Sequence, residues 1–220
     1  MTAMKPLDVV ALRSGLYTAV VADVLDGLGF RRQAVGVPLP RFSGQGLLVG
    51  RAKTTLWEGI DQVDPRPYEL ELKAVDECRP DEVLIAAADG SMRSGIWGEL
   101  LSTAARNRGC AGVIVDGAVR DVAKMNEIGF LAFARGTCPL DSLNRQRVAA
   151  VDVDVEIGGV RIGPGDLVFA DLDGVVVVPR AVEAEAISRA LEKVAAENRV
   201  RDEIRSGSLA GEVFRKYGVL

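Results

Sequence analysis

An acidic side chain and an arginine–aspartate pair, separated by twenty residues, are of types that could perform metal-assisted chemistry on a carbonyl compound. Glu99 follows Gly98 at the start of a helical pattern, and Arg120 and Asp121 follow an apolar strand pattern that ends near Gly117. Asp121 offers a hard anionic metal ligand, Glu99 a second position or a hold on metal-bound water, and Arg120 a fork of donors for a keto oxygen or carboxylate. A cation and an arginine beside a carbonyl oxygen would stabilise an enolate.

The same three residues also have purely structural interpretations. An aspartate just before a helix is most often an N-cap, a glutamate in a first turn complements the helix dipole, and an arginine usually lies at the surface. The residue types and their spacing therefore leave both interpretations open.

The segment Gly95 to Leu100 is a glycine-bearing loop that opens a helix. Unpaired backbone N–H groups and the helix dipole make such a helix start an anion site, so a substrate carboxylate would fit there. Arg120 and Asp121 are expected on a strand-to-helix loop, where α/β sheets usually contact ligands.

The absence of histidine narrows the chemistry further. It excludes Ser-His-Asp and Cys-His mechanisms and every imidazole metal site. Any metal must then have oxygen ligands, which favour Mg²⁺ or Mn²⁺. Cys78, Cys110 and Cys138 are far apart and form no C-x-x-C motif, which argues against a disulfide framework or a zinc cluster.

Composition and charge exclude several classes of protein. The net charge is -4 and no segment concentrates Lys or Arg, so the footprint of a nucleic-acid binder is missing. No run of about 18 apolar residues suggests a membrane span, and Lys5, Asp8 and Arg13 interrupt the apolar N-terminus. We therefore expect a cytoplasmic protein with no nucleic-acid or membrane partner, folded as one domain over residues 1–220.

Apolar periodicity predicts the elements that must position these residues. A helical section is expected over Leu7 to Leu28 and a strand over 44–57, followed by a β-α-β-α-β order typical of α/β folds. The expected strands are 44–57, 82–88, 112–117 and 130–133, and the expected helices are 98–108 and 121–128.

The last third of the chain changes to repeated strands. Residues 149–157 alternate apolar and acidic side chains, and Gly158-Gly159 predicts a hairpin turn. Two more apolar strands flank Asp171 to Gly174, where a carboxylate pair of Asp171 and Asp173 is possible but a hairpin turn is favoured. A long amphipathic helix is expected over Ala181 to Arg205.

Two further acidic positions have structural interpretations. Asp23 and Asp26 lie three residues apart on the first helical section, where a solvated face is the favoured interpretation. Asp116 precedes a glycine and is expected to order Arg120 through a hydrogen bond to its backbone.

The segment GELLSTAARNRGCAGVIVDGAVRD, from Gly98 to Asp121, resembles one particular family, as do DLVFADLDGVVVVP and the C-terminal ENRVR. This family contains 4-hydroxy-4-methyl-2-oxoglutarate/4-carboxy-4-hydroxy-2-oxoadipate aldolase and the regulator of ribonuclease E activity A. Its hallmark, an acidic residue separated by twenty residues from Arg-Asp, is matched by Glu99 and Arg120-Asp121. The resemblance covers nearly the whole chain.

The resemblance implies an α/β/β/α sandwich of the swivelling β/β/α-domain type. It also implies homotrimers or homohexamers with active sites between subunits, in which the C-terminal helical tail, about 181–220, contacts a neighbour. Mg²⁺ or Mn²⁺ would be the cofactor.

The resemblance also implies individual roles for the site residues. Asp121 would be the direct metal ligand, Glu99 a ligand through water, and Arg120 the group that binds the keto oxygen of the substrate. Backbone amides of Gly98, Glu99 and Leu100 would hold the pyruvyl carboxylate. Glu197 of an adjacent subunit would contact metal-bound water, although Glu192 and Glu203 are close to it in sequence.

Two functions follow from the resemblance. The first is a divalent-metal-dependent aldolase that cleaves a 4-hydroxy-2-oxo acid, such as 4-hydroxy-4-methyl-2-oxoglutarate, to pyruvate, with oxaloacetate decarboxylation as a side activity. The second is a protein regulator that binds and inhibits a ribonuclease. Lys124 stands where some aldolases of the family carry Asp or Glu, which leaves the identity of the 2-oxo acid open.

Overall fold

Seven helices and ten strands make up residues 9–219, the part of the chain that this computed structural model describes. The helices are α1 (Val9–Gly15), α2 (Thr18–Gly27), α3 (Glu69–Asp76), α4 (Glu99–Asn107), α5 (Val122–Ile128), α6 (Glu183–Arg205) and α7 (Ala210–Tyr217). The strands are β1 (Arg41–Ser43), β2 (Leu48–Gly59), β3 (Glu82–Trp97), β4 (Gly112–Val119), β5 (Leu131–Thr137), β6 (Gln146–Val151), β7 (Val155–Ile157), β8 (Val160–Ile162), β9 (Leu167–Ala170) and β10 (Val175–Val178).

One large sheet has the strand order β1-β5-β4-β3-β2-β9-β10, with β6 paired to β2 as an eighth strand. The pairs β2–β3, β3–β4 and β4–β5 are parallel, and the other pairs of this sheet are antiparallel. Every residue of β4 is buried, which explains its nearly continuous apolar sequence, since a central parallel strand is covered on both faces. Strands β7 and β8 form a separate hairpin around Gly158-Gly159, as predicted.

Alternate side chains of β3 enter two different cores. Leu84 and Ala86 pack with α3, α4 and α5 on one face of the sheet. Val83 and Ile85 pack on the other face with the β7–β8 hairpin. Helices α1, α2 and α6 cover a third core over β9 and β10. The predicted α/β sandwich is confirmed, and no helix within residues 9–219 has the length and apolarity that crossing a membrane would require.

The predicted end of the second strand at Ala88 was wrong. Strand β3 continues to Trp97 and stays paired with β4 through register shifts between Ala87 and Ser91, Ser91 and Gly95, and Gly95 and Trp97. Asp89 and Gly90 have φ values of 50° and 68°, so the turn signal produces a bulge inside a strand rather than a chain reversal.

Two further elements differ from the sequence prediction. Helix α3 was not predicted, because Glu71 occupies one of its three buried positions beside Ala74 and Val75 and so interrupts the apolar pattern. The predicted strand over 149–157 is divided at Asp152, whose φ of 55° turns the chain between β6 and β7.

The predicted N-terminal helical section is helical over the described residues except at a break between α1 and α2, while positions 7 and 8 lie outside the described residues. Asp171 caps the start of α2 across this break. Its carboxylate accepts hydrogen bonds from the amide of Thr18 at 2.9 Å and from the Thr18 hydroxyl at 2.6 Å. The adjoining turn also has the predicted hairpin form, since the Asp171 amide donates to the Gly174 carbonyl at 3.0 Å.

Replacing Asp171 by alanine should lower the free energy of unfolding by about 1–2 kcal/mol, because two donors at the start of α2 lose their acceptor. Asp173→Ala is the matched control in the same turn, and its exposed side chain predicts a change within about 0.5 kcal/mol. Urea denaturation of both variants measures the difference. Equal effects would contradict the capping role of Asp171.

Candidate active site

The carboxyl ends of β3 and β4 border a cavity of about 260 Å³, which helices α3 and α4 help to enclose. This is the edge at which parallel strands usually present ligand-binding residues. The lining residues are Tyr68, Glu71, Leu72, Gly95, Ile96, Trp97, Gly98, Leu100, Leu101, Arg120, Asp121, Asp141 and Ser142. The cavity thus contains four of the six predicted site residues.

Backbone hydrogen bonds hold the two predicted segments together. The amide of Arg120 donates to the Trp97 carbonyl at 2.8 Å, and the amide of Gly95 donates to the Leu140 carbonyl at 2.8 Å. Gly98 then lies so close to the second segment that a Cβ atom there would be 2.5 Å from Asp121 Oδ2 and 3.0 Å from Arg120 Cγ. A side chain at position 98 would therefore require the Asp121 carboxylate to move.

Asp121 precedes α5 but does not cap it. Its backbone is left-handed, with φ of 56°, and its side chain forms no capping hydrogen bond. The carboxylate instead turns toward α4, where Oδ2 lies 3.4 Å from the Glu99 amide and 3.4 Å from Arg120 Nε. The structural alternative of a simple N-cap is therefore wrong for Asp121.

Arg120 is held by a second carboxylate, Asp141. Arg120 Nη1 donates to Asp141 Oδ2 at 2.9 Å, and the Tyr68 hydroxyl donates to Asp141 Oδ1 at 2.8 Å. The amide of Leu143 also donates to Oδ1 at 2.8 Å. Asp141 thereby fixes the guanidinium of Arg120 at the cavity wall.

These contacts set the charge states of the cluster. Burial by itself would raise the pKa of Asp141, but the Leu143 amide, Tyr68 and Arg120 together lower it, so this carboxylate is ionised. Burial, followed by the hydrogen bond to Asp141, raises the pKa of Tyr68 to about 12. Tyr68 therefore stays a neutral donor, although its φ of 63° is an uncommon conformation for a bulky residue.

Glu71 is a buried carboxyl in the same cavity, with 7% of its surface exposed. Burial first, and the charge of Asp141 second, raise its pKa to about 8, while Arg120 acts in the opposite direction. At neutral pH this side chain is therefore a protonated acid.

The predicted residues Glu99 and Leu100 occupy the first turn of α4. Gly98 occupies the N-cap position of α4. Because glycine has no side chain, it cannot accept a hydrogen bond from the first-turn amides, which lie at the cavity end of the helix. The Glu99 carboxylate accepts a hydrogen bond from Thr103 in its own helix at 2.9 Å and is not part of the cavity wall. Leu100 lines the cavity and is 76% exposed.

Glu197, predicted to act in a neighbouring subunit, lies on α6 against α2. Its carboxylate accepts a hydrogen bond from the Tyr17 hydroxyl and has Lys193 and Arg201 as ionic neighbours. It lines a surface groove between these helices rather than the cavity of Asp121 in the same chain.

Three further residues singled out in the sequence have partners in the structure. Asp116 pairs with Arg135 Nε at 2.5 Å, so the prediction that it orders Arg120 was wrong. Lys124 pairs with Glu127 at 2.9 Å on the exposed face of α5. Asp23 forms a surface ion pair with Lys193 at 2.6 Å, in line with a solvated face.

Comparison with known proteins identifies the relatives of the chain. The sequence profile of the RraA-like family, described as Aldolase/RraA, matches residues 18–177. The chain belongs to the RraA-like family. The resemblance inferred from Glu99 and Arg120-Asp121 is thereby confirmed.

Individual relatives extend over most of the RraA-like chain. A protein of Halalkalibacterium halodurans, named "Putative 4-hydroxy-4-methyl-2-oxoglutarate aldolase", is 32% identical over 197 residues, which span 90% of this chain and 86% of that protein. Streptomyces coelicolor RraAS2, described as an unusual member of the RNase ES inhibitor RraA protein family, is 29% identical with a TM-score of 0.77, covering 90% of this chain and 98% of its own. An uncharacterized protein from Pseudomonas syringae pv. tomato str. DC3000 is 27% identical with a TM-score of 0.81, covering 95% and 98%.

The cavity of this RraA-like chain fits a hard, water-carrying cation. Asp121 provides carboxylate oxygen beside the space that Gly98 leaves open, and the sequence contains no histidine. Within residues 9–219, no three His, Cys, Asp or Glu side chains converge as a complete metal cage. Mg²⁺, which usually keeps several waters and takes one or two carboxylates, matches this donor set better than Zn²⁺ does.

Sequence reasoning missed Tyr68, Glu71 and Asp141. Tyr68 and Glu71 belong to the unpredicted helix region of α3, and Asp141 lies in the loop between β5 and β6. Asp141-Ser142 is a dipeptide common in turns, so its sequence gives no sign of a site. Only the folded structure shows that Asp141 contacts Arg120.

Glu71→Gln should change how stability depends on pH. The pKa of Glu71 is about 8 in the folded wild type, whereas an ordinary glutamate has a pKa of 4.5. As pH rises, the unfolded state therefore loses the Glu71 proton before the folded state does. Wild-type free energy of unfolding therefore falls between pH ~4.5 and pH ~8, by up to about 4 kcal/mol. The neutral glutamine lacks this loss, so the variant gains relative to wild type across the same window.

Chemical denaturation at pH ~5 and pH ~8.5 measures this difference. Glu69→Gln, an exposed change on the same helix, is the control, and its stability difference from wild type should vary little with pH. A pH-independent difference for Glu71→Gln would show that Glu71 ionises normally in the folded protein.

Proposed function

We propose that this RraA-like protein is a divalent-metal-dependent aldolase that cleaves a 4-hydroxy-2-oxo acid, such as 4-hydroxy-4-methyl-2-oxoglutarate, to pyruvate, with oxaloacetate decarboxylation as a second activity. The observation that carries the proposal is the convergence of Gly98, Arg120 and Asp121 in one cavity at the start of α4. The aldolase name of the Halalkalibacterium halodurans relative supports the same reaction class.

The chain's own residues fit the substrate of such a reaction. The pyruvyl carboxylate suits the start of α4, where the helix dipole and the amides of Gly98, Glu99 and Leu100 favour an anion. Gly98 supplies no side-chain cap there, and the Glu99 amide has a hydrogen bond to Asp121 Oδ2 at 3.4 Å. Arg120, fixed by Asp141, is placed to donate to the keto oxygen, on which negative charge develops as the neighbouring C–C bond breaks.

Asp121 would be the direct ligand of Mg²⁺ or Mn²⁺, and Glu99 would act through water. When bound, the cation supplies positive charge that stabilises the developing enolate. Asp121 is suited to this role because its left-handed backbone directs the carboxylate away from α5 and toward the cavity.

We also propose that the active assembly is a homotrimer or homohexamer in which Glu197 of one subunit serves the cavity of the next. Leu72 on α3 and Leu100 on α4 line the cavity and are exposed, and Leu140 in the β5–β6 loop is exposed as well. A second chain over this rim would remove these apolar side chains from water. The tail over 181–220 is the proposed contact.

A second candidate function is inhibition of a ribonuclease, favoured by the likeness to Streptomyces coelicolor RraAS2. Such a regulator needs a surface complementary to the ribonuclease, and it need not catalyse any reaction. A pull-down of the full chain against a ribonuclease of the RNase E type, with an RNA-cleavage assay, distinguishes it from the aldolase.

Asp121→Asn should lower metal-dependent pyruvate release from 4-hydroxy-4-methyl-2-oxoglutarate and from oxaloacetate by at least about 100-fold, because a neutral amide is a poor ligand for a hard cation. Chelation of the wild type should have a similar effect that added Mg²⁺ reverses. Pyruvate is followed by coupled reduction. Asp173→Asn, in an exposed turn, is the control, and wild type without metal-dependent turnover of either substrate would refute the proposed function.

Gly98→Ala tests the close approach at the site. The added Cβ would lie 2.5 Å from Asp121 Oδ2, the end of a side chain that can move, so activity should fall by about 100-fold with little change in stability. Gly27→Ala, where a Cβ meets no atom within 4 Å, is the control. If Gly98→Ala retained wild-type activity, the close approach of Gly98 and Asp121 would not be needed for function.

A further inference from the structure

Glu71 is the one buried ionisable group of the cavity that the proposed reaction has not used. Only 7% of the residue is exposed, and within the described residues no group forms a hydrogen bond with its carboxyl, whose oxygens still reach solvent. A buried carboxyl normally has a hydrogen-bond partner. An acid that lines a cavity without one has a free proton to offer to whatever occupies that cavity.

Two carboxyls of the cluster are held in opposite charge states. Asp141 receives hydrogen bonds from Arg120, Tyr68 and the Leu143 amide, which keep it ionised. Glu71 receives none of these and experiences the negative charge of Asp141, which favours its neutral form. Neighbouring carboxyls whose environments push their pKa values apart are the usual arrangement for acid–base chemistry.

Glu71 also has a route by which its proton can be replaced. It lines, together with Tyr68, a second cavity of about 410 Å³. That cavity is mainly polar in its residues and includes Glu58 and Arg147, which pair with each other at 2.8 Å. Glu71 therefore lines both the proposed substrate cavity and a polar one.

We propose that Glu71 is the general acid of the reaction, which delivers a proton to C3 of the pyruvate enolate after the C3–C4 bond breaks. This inference rests on the proposed aldolase function. Arg120, Asp141 and Leu100 surround the same cavity, so an enolate bound by Arg120 and the start of α4 shares its space with the Glu71 carboxyl.

The step balances without any further reagent. Cleavage leaves the C3–C4 electron pair in the enolate, while the C4 hydroxyl gives up its proton and becomes a carbonyl. The enolate then re-forms its C2 carbonyl, and its C2–C3 π electrons make a C3–H bond to the proton of Glu71. Glu71 is left as a carboxylate and regains through solvent the proton that the C4 hydroxyl released.

The other ionisable groups around Glu71 leave it as the best-placed acid. Those that line the two cavities include Tyr68, Arg120, Asp121, Asp141, Glu58 and Arg147. Tyr68 and Arg120 are weak acids, because the pKa of Tyr68 is raised to about 12 and a guanidinium does not lose its proton. Asp141 is ionised, and Glu58 is paired with Arg147.

The test is exchange of the pyruvate methyl protons for deuterium in D2O, followed by ¹H NMR with the full-length protein and Mg²⁺. This exchange isolates proton transfer at C3, since no C–C bond breaks. Glu71→Gln should lower both exchange and kcat for cleavage by at least about 100-fold, because general acid–base catalysis contributes about 10²–10⁴-fold, while KM changes by no more than about 3-fold.

Three controls separate a catalytic role from a structural one. Glu69→Gln on the same helix should exchange within about 2-fold of wild type, and Glu71→Asp should recover part of the rate because it restores a carboxyl. In the wild type, kcat should fall as pH rises through a value near 8, where Glu71 loses its proton, and Glu71→Gln should lack that fall. A denaturation curve of Glu71→Gln measures whether this variant is folded.

The outcomes distinguish this assignment from the function on which it rests. Wild type that cleaves and exchanges, together with a folded Glu71→Gln that exchanges within about 3-fold of it, would overturn the role of Glu71 alone. Wild type that neither cleaves 4-hydroxy-2-oxo acids nor exchanges pyruvate protons would overturn the aldolase itself, and the assignment of Glu71 with it.

Discussion

The parallel pairing of β3 with β4 is the constraint on which the site depends. It places the end of β3, with Gly95 and Gly98, beside the residues that follow β4, although twenty residues of helix and strand separate Glu99 from Arg120 in the chain. The bulges in β3 preserve this pairing over its full length instead of ending it at Asp89. A strand that reversed there would leave Arg120 and Asp121 on an ordinary loop, with no helix start opposite them.

Charge within the cavity is organised around Asp141. This carboxylate orients Arg120, uses the Tyr68 hydroxyl as a neutral donor, and disfavours ionisation of Glu71. One half-buried carboxylate thus fixes the guanidinium of Arg120 and adds to the effect of burial that raises the pKa of Glu71. Within the described residues Asp141 accepts three hydrogen bonds, whereas the Glu71 carboxyl accepts none.

Unfavourable backbone conformations coincide with this cavity. Asp121 and Tyr68 both have left-handed backbones, with φ values of 56° and 63°, and both lie on its wall. A left-handed non-glycine residue costs free energy, and it persists where the surrounding structure determines it. The left-handed backbone directs the carboxylate of Asp121 toward α4 and the hydroxyl of Tyr68 toward Asp141. The usual geometry of a helix start would give neither direction.

The sequence by itself determined the α/β class, the family, and the candidates Glu99, Arg120 and Asp121, because apolar periodicity and the spacing of these residues are local properties. Tertiary structure alone decided that Asp121 does not cap α5, that Asp116 pairs with Arg135, and that Tyr68, Glu71 and Asp141 line the same cavity as Arg120 and Asp121. Those facts arise between segments far apart in the chain. Glu71 shows the reason most clearly: in sequence it only interrupts an apolar pattern, and its protonation follows from burial and from a charge seventy residues away.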